Sequence, residues 1–443
     1  MRRVAVVGSG ISGLSVAWNL SRQPQLCKVS LFESGSYFGG HTHTVDVEVG
    51  AGLQRIRHGV DTGFLVFNER TYPRLIELFE TLQVETAASD MSFSVKLPHI
   101  DLEWSGSNLD SVFAQRRNLV RPAFLIMLAE IVRFNKLCTS LATTGADAAL
   151  QQPIGDFLDE HRFSASFRNW YFLPMIGCIW SCPTDQMLRF PIATMIRFCH
   201  NHGLLQVADR PRWFTVVGGA RRYVTKMLSS IDDARLNTPV RQIRRVPPGP
   251  SMGGGSGGVL LSTDTGTEHF DEVVLACHSD QALAMIADPT PDERQVLSAI
   301  RYQPNRAVLH TDVSVLPKRR RAWAAWNYER AAAASNQQNS VCLHYLINQL
   351  QPLPFEQPVV VSLNPLREPR AELIQGEFDY AHPVFDQAAI DAQRRVPALQ
   401  GIASTWFCGA WTRYGFHEDG LMSGLAVVEG LRQRLQLATL EAA

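Results

Sequence analysis

Apolar residues fall along the chain in two rhythms. Short continuous runs predict strands: Val4-Ala5-Val6-Val7, Val60 to Phe67, Phe214 to Val217, Val259-Leu260-Leu261, Phe270 to Cys277, Val341 to Ile347, Val359 to Leu363 and Trp406-Phe407-Cys408. Runs at helical spacing predict helices from Leu14 to Leu20, from about Tyr72 to Leu82 with Leu75, Leu78, Phe79 and Leu82 inward, and through Leu421, Met422, Leu425, Val428 and Leu431. Phe124 to Phe134 predicts an amphipathic or wholly buried helix. Trp170 to Trp180 is apolar throughout, so it is either a buried core helix or the wall of an apolar substrate cavity, and Trp180 becomes a substrate-side candidate. From Leu236 to Cys277 the pattern is a β-meander whose Pro/Gly/Ser tip, Gly249 to Gly258, tolerates disorder. Strands alternate with helices at both ends of the chain, which gives the α/β class.

At 443 residues the chain is too long for one simple core. Two interleaved domains fit the changes of pattern: one from residues 1–83, 211–288 and 396–443, the other an α+β unit from 84–210 and 289–395. Basic and acidic residues number 42 each, so no net field recruits nucleic acid, and no nucleic-acid partner is expected. No stretch approaches the roughly 20 apolar residues of a membrane span. Gly8, Gly10 and Gly13 interrupt what could pass for a secretory leader after Met1-Arg2-Arg3. A soluble cytoplasmic protein is the expectation. The eight cysteines are scattered, and Cys178 and Cys182 lack the partners of a zinc site, so packed thiols are expected and no metal.

The first strand runs into Gly8-Ser9-Gly10-Ile11-Ser12-Gly13, the dinucleotide-binding turn. Gly8 turns the chain, Gly10 lets a pyrophosphate approach the backbone, and Gly13 lets helix pack on strand. The N–H groups at Ile11 and Ser12, in the first helical turn, point toward the phosphates. Leu31-Phe32-Glu33-Ser34 supplies the second strand and, twenty residues beyond Gly13, the acid that bonds a ribose diol. The doublet Gly39-Gly40, with His41 and Thr42 behind it, lets the backbone pass close to FAD and offers donors to phosphate; a nicotinamide domain has no need of it. His41 and His43 lack a third ligand for a metal. Thr62 and Gly63 mark a bulge or a close ligand approach within a strand. Near the other end, Gly409 closes a strand and Gly420 leads into a helix whose dipole would favour negative charge on a reduced flavin. A second strand-glycine-helix unit, Phe214 to Leu228, lacks the third glycine and the acid, so it is not a second dinucleotide site. The run Lys318-Arg319-Arg320-Arg321 beside Trp323 and Trp326 is read either as an anionic membrane interface or as a solvated turn before packed tryptophans.

Gly8-x-Gly10-x-x-Gly13, Glu33, Gly39-Gly40, Thr238-Pro239-Val240 and the Gly409 to Gly420 segment together resemble the flavin-containing amine oxidase and phytoene desaturase superfamily. The resemblance implies a Rossmann-like FAD-binding domain of the amine-oxidase type with an interleaved substrate domain, and it adds Val240 to the cofactor contacts. The phrases Gly40 to Thr44, Asp61 to Phe64, Trp323 to Tyr328, Ser362 to Pro365 and Gly415 to Gly420 are similar to a narrower group of FAD-binding proteins associated with cyclopropane-fatty-acid-synthase-like methyltransferases. That likeness implies a fatty acyl or lipid substrate, a lipid methyltransferase partner and peripheral membrane contact. The sequence departs from the amine-oxidase pattern in several places. His41 replaces an arginine, Ala410 replaces an acid and leaves Glu418 or Asp419 to take up polar contacts there, and Phe416 stands where a cage tyrosine is expected, on the substrate side. No cysteine has the context of covalent flavin attachment, so FAD is expected to be non-covalent. The expected chemistry is hydride removal from an acyl C–H to flavin N5, with proton loss from the neighbouring carbon. No catalytic base is established; His417 and Tyr414 are the candidates for proton handling, or they only pack. Two alternatives remain, a flavin amine oxidase using oxygen and a flavin-binding accessory protein that performs no turnover.

Overall fold

A computed structural model describes residues 1–50, 55–144, 152–180, 184–206, 210–247, 257–330 and 341–441. Cys182 and most of the Gly249 to Gly258 tip lie outside them. At the centre is a five-stranded parallel sheet in the order Asp233–Arg235, Cys27–Phe32, Arg2–Val7, Glu272–Leu275, Thr405–Phe407. The first strand of the chain lies in the middle, paired through Val6↔Leu31 on one side and Val6↔Val274 on the other. Its continuous apolar run is explained by burial on both faces. Strand order reverses at this strand, and in an open α/β sheet the crevice at the carboxyl ends of such strands receives the ligand.

The helix Ile11–Ser21 leaves that crevice and packs against the closing helix His417–Glu441. Small residues set the separation: a Cβ on Gly424 would stand 2.1 Å from Ser15 Oγ, and one on Gly420 2.8 Å from Ile11 Cγ2. The closing helix thus begins three residues earlier than Gly420, which sits inside its first turn. The meander strands Val240–Val246, Gly258–Thr263 and Gly266–Phe270 form a separate antiparallel sheet.

A seven-stranded mixed sheet forms the second layer, in the order Ile374–Val384, Arg301–His310, Val360–Leu363, Cys342–Leu346, Trp326–Glu329, Phe93–Leu97, Leu102–Ser105. The 341–347 and 359–363 runs, both expected as strands, pair antiparallel through Leu343↔Leu363. A small antiparallel sheet of Phe67–Asn68, Trp213–Val216 and Thr86–Ser89 ties the segment from residue 84 to the nucleotide-binding half. The expected strand over 60–67 is corrected. Ile56–Asp61 pairs with Thr44–Val49, and the chain then turns at Thr62 and Gly63. The helix Pro73–Thr81 matches its prediction within a residue at each end.

Aromatic helices cover the other face. Pro122–Thr144 buries Phe124, Met127, Phe134 and Cys138, so it is amphipathic rather than wholly buried. Residues 168–172 form a wider π-helical turn that continues into the helix Leu173–Trp180, where Ile176, Cys178 and Trp180 are core residues. The described cysteines are free thiols, all buried except the half-buried Cys277. Among the described residues no helix is long and apolar enough to cross a membrane.

Candidate active site

The three motif glycines do different work. Gly8 has φ +101°, and a Cβ there would lie 2.6 Å from the carbonyl oxygen of Ala276. At Gly13 it would lie 1.9 Å from Gly8 O. Both are tied to the close packing of turn, helix and sheet. At Gly10 a Cβ would meet nothing within 4 Å, and the backbone there is extended at φ −62°, ψ 173°. The space over Gly10 is therefore open, as a diphosphate cradle at a helix N-terminus requires. Gly39 bridges Gly10 as a parallel partner, with φ +125°, and Gly40 follows with φ +58°. The doublet thus lies against the glycine turn, at the mouth of the crevice.

Glu33 ends the second strand beside this turn. Its carboxylate accepts from Ser9 N (2.9 Å), Ser9 Oγ (2.5 Å) and Gly35 N (2.8 Å), while the exposed Ser34 hydroxyl approaches at 3.4 Å. Ser9 Oγ also accepts from Gly39 N at 3.1 Å. Ser9 is fully buried and joins acid, glycine turn and doublet. It is a site residue that motif reading passed over, although it stands between two motif glycines. Val240 is buried at the start of its meander strand, and nearby Thr238 N donates to Glu33 O at 2.8 Å.

Behind the doublet lie two hydrogen-bonded chains. Thr42 Oγ1 shares a hydrogen with Tyr223 OH (2.5 Å), which in turn meets His417 Nε2 (2.7 Å). The His417 ring stacks on Phe64 with centroids 3.8 Å apart, and burial pushes its pKa down to about 3. It is a neutral imidazole. Thr62 Oγ1 meets Tyr380 OH at 2.7 Å and His43 Nδ1 at 3.1 Å. Gly63 approaches backbone of its own chain: a Cβ there would stand 2.2 Å from His41 O. The His41 ring stacks on Tyr380, 5.0 Å away, and has His382 at 5.2 Å. Burial, then the neighbouring His382, His278 and His417, hold it well below the ordinary histidine range. Its Nε2 is buried without a hydrogen-bond partner. An orphaned nitrogen behind the doublet and an open face over Gly10 both fit a bound FAD.

The closing helix corrects the reading of its acids. Glu418 accepts from Arg74 N (2.8 Å) and Leu75 N (3.0 Å), capping the helix Pro73–Thr81. Asp419 accepts from Phe416 N at 3.0 Å, and burial pushes its pKa up to about 6. Both carboxylates accept from backbone N–H groups at helix starts, which fixes their orientation beside the cleft. Gly409 N donates to Ser423 Oγ at 2.9 Å, fixing the last strand to the closing helix. Gly420 packs on Ile11 and Ser12.

Tyr414 and Phe416 line a cleft of about 330 Å³ with Tyr72, Phe198 and His202. Phe198 stacks on Phe416 (4.7 Å) and lies against Trp180 (4.9 Å) and the His202 ring (3.9 Å). Trp180 is therefore a core residue one ring behind the cleft, reaching it only through Phe198. Phe198 joins the two substrate-side candidates, and sequence reading passed over it. Buried Asp61 accepts from both Ala220 N (3.0 Å) and Gln351 Nε2 (2.6 Å), and burial pushes it up to about 7 against those hydrogen bonds. Trp323 and Trp326 prove to be packed tryptophans: Trp323 Nε1 donates to Pro317 O at 2.7 Å, and Trp326 lies edge-on to Tyr345.

No metal ligands were expected. Among the described residues one group, Glu329, Cys342 and His344, has ligand-type atoms within 4.8 Å of one another. Hydrogen bonds account for it: His344 Nε2 to Glu329 at 3.1 Å, His344 Nδ1 to Ser362 Oγ at 2.7 Å, and Lys96 Nζ to Glu329 at 3.1 Å.

The family model of flavin-containing amine oxidoreductases matches residues 11–315, well over half of the chain. Solved structures of the same fold include a fatty acid isomerase producing conjugated linoleic acid from P. acnes (15% identity, TM-score 0.66, 97% of this chain and 98% of that one). They also include cyclohexylamine oxidase from Brevibacterium oxydans (15%, TM-score 0.67, 98% and 99%). A putrescine oxidase bound to putrescine is similar to the same degree (15%, TM-score 0.67, 98% and 99%). With its glycine turn, doublet and closing helix assembled around one crevice, the chain belongs to the flavin-containing amine oxidoreductase family and is an FAD-dependent oxidoreductase.

Proposed function

We propose that this oxidoreductase acts on fatty acyl chains of lipids as a dehydrogenase or desaturase. One observation carries the reading. The cleft beside the closing helix carries the rings of Tyr72, Phe198, Tyr414 and Phe416, and its charged lining sets Arg70 and Arg413 against Glu418 and Asp419, so it holds no excess of negative charge. An acyl chain gains apolar contact with those rings, whereas an ammonium group meets two guanidinium groups as well as two carboxylates that already accept from backbone N–H groups. A fatty acid isomerase among chains of this fold supports the same substrate class.

In this reading the segments 1–83, 211–288 and 396–443 hold FAD non-covalently, and 84–210 with 289–395 receive the lipid. Bound FAD would supply the acceptor for the hydride, which carries the two electrons of the oxidation, while the second hydrogen leaves as a proton. Gly10 and the N–H groups that follow it bind the diphosphate, Glu33 the ribose, and His41 Nε2 donates to or accepts from the cofactor's polar edge. Phe198, Phe416 and Trp180 orient the chain and exclude water. His417, neutral and bonded to Tyr223, holds or passes a proton at Nε2. A lipid methyltransferase partner belongs to the same proposal.

Lipid profiling of cells with and without the gene tests it: acyl chains lacking two hydrogens should disappear when the gene is removed. An unchanged acyl profile together with oxidation of simple amines by the purified protein would favour amine oxidation, the reading to which the family's other members lend weight.

A further inference from the structure

The long helix Pro122–Thr144 turns Phe124, Met127, Phe134 and Cys138 inward, yet its outer face carries Leu125, Ile126 and Val132, all exposed. A helix on a soluble surface ordinarily shows polar residues there. The turn before it adds Leu119 and Val120, and the short helix Leu109–Val112 adds Leu109. Val120 is 81% exposed and Leu109 78%, fully presented rather than half-tucked. Six exposed apolar side chains on three consecutive elements are more than a soluble surface ordinarily shows, and such surfaces mark contact sites.

Basic residues surround it. Arg116 and Arg117 lie in the same turn, and Arg121 sets its guanidinium 4.6 Å from the Trp170 ring. The run Lys318 to Arg321 is joined to this region from the far side of the chain, through Arg319 to Glu103 (3.1 Å) and Arg321 to Asp110 (3.5 Å). Arg116, Arg117, Arg319 and Arg321 pair with three carboxylates, Asp101, Glu103 and Asp110, and together with Arg121, Lys318 and Arg320 these seven cations exceed them by four in a chain whose net charge is zero.

We propose that this face docks on an anionic phospholipid membrane, with Leu109, Leu119, Val120, Leu125 and Ile126 entering the interface and the arginines meeting headgroups. Apolar insertion combined with basic attraction is the physics of peripheral membrane binding. A second copy of the chain is the weaker occupant, because a two-fold contact through this patch would set its cationic rim against itself. The basic run takes part, and Trp323 and Trp326, being packed, do not. The surface stands independently of the substrate reading, since it would bind membrane whatever the enzyme oxidises.

The test is co-sedimentation of the flavin-loaded protein with vesicles of phosphatidylcholine, with and without phosphatidylserine, at low and high salt. The wild type should sediment with the anionic vesicles, less at high salt, and little with pure phosphatidylcholine. The double variant Val120→Asp with Leu125→Asp should lose association by about tenfold or more, the effect of removing two inserted apolar side chains. Its melting temperature and flavin absorbance should be unchanged, because both positions are exposed. Arg320→Glu should weaken binding and flatten its salt dependence. Wild type that stays in solution with anionic vesicles, a double variant that binds as well as wild type, or a wild-type dimer that the double variant dissociates would each overturn the proposal. No turnover is read, so failure here leaves the acyl-substrate reading standing, and the converse holds.

Discussion

Replacing Gly10 with alanine separates cofactor binding from folding at one position. The backbone there has φ −62° and ψ 173°, which alanine adopts freely, and the added Cβ meets no atom within 4 Å. The apoprotein should therefore be as stable as wild type or gain ~0.4–1 kcal/mol from its less flexible unfolded chain. The methyl group instead fills the space over the N-terminus of Ile11–Ser21, where the diphosphate approaches the backbone. A hydrogen bond from backbone N–H to a charged oxygen contributes ~1.5–3 kcal/mol. Losing two of them weakens FAD binding by ~3–6 kcal/mol, about two to four orders of magnitude. The assay is the ratio of visible flavin absorbance to protein absorbance after purification, followed by melting curves with and without added FAD. The variant should purify pale, fold cooperatively, and show little of the melting-temperature rise that FAD gives wild type. A Gly10→Ala protein that keeps its full flavin would refute the placement of the diphosphate. One that fails to fold would refute the reading of Gly10 as open space.

Gly13→Ala makes the opposite case, because its Cβ would stand 1.9 Å from Gly8 O; insoluble or molten protein is expected, read by circular dichroism. Glu418→Ala leaves the N–H groups of Arg74 and Leu75 uncapped and should cost ~1–2 kcal/mol in urea unfolding, with Glu418→Gln recovering part of it. Phe198→Leu removes aromatic contacts with Phe416 and Trp180, each ~0.5–1.5 kcal/mol; it should lower stability and raise the KM for acyl substrates more than it changes kcat. Burial holds His43, His202 and His382 down to about 4 and His417 to about 3, against ~6.5 in the unfolded chain. The unfolded chain therefore takes up protons that the native state refuses. Each of these histidines lowers stability as pH drops below ~6.5, by up to ~1.4 kcal/mol per pH unit, while Asp61, held up to about 7, and Asp419, held up to about 6, act in the opposite sense and offset part of the loss. Urea midpoints at pH 7 and 5.5 should differ sharply, and His382→Gln should reduce the slope by about one proton; equal midpoints would contradict the burial of neutral rings.

Local pattern carried much of this architecture. Gly8, Gly10 and Gly13 sit at fixed spacing after an apolar run, so strand, turn and helix were all legible, and so were the strands of the 341–347 and 359–363 runs. Contacts across long sequence separations were not. Glu418 reaches Arg74, 344 residues away, and Asp61 pairs with Gln351 across 290. An acid beside a glycine looks the same in sequence whether it faces a cofactor or caps a distant helix. The strand predicted over 60–67 failed because Gly63 turns the chain onto His41, and an apolar run cannot report that turn. Phe198 was invisible as a site residue because a buried phenylalanine at helical spacing reads as core; only the fold puts Phe416 on its face. The helix from Pro122 shows the converse. Its apolar content left an amphipathic and a wholly buried helix both open, and only the exposure of Leu125, Ile126 and Val132 shows that its outer surface is apolar too.

The acyl-chain reading is tested most directly by anaerobic titration of the flavin-loaded protein with phospholipid, with simple amines in parallel and mass spectrometry of the lipid afterwards. The account predicts that lipid bleaches the visible flavin absorbance, that amines do not, and that the recovered acyl chain is two hydrogens lighter. Bleaching by amines alone, with the lipid recovered intact, would contradict it.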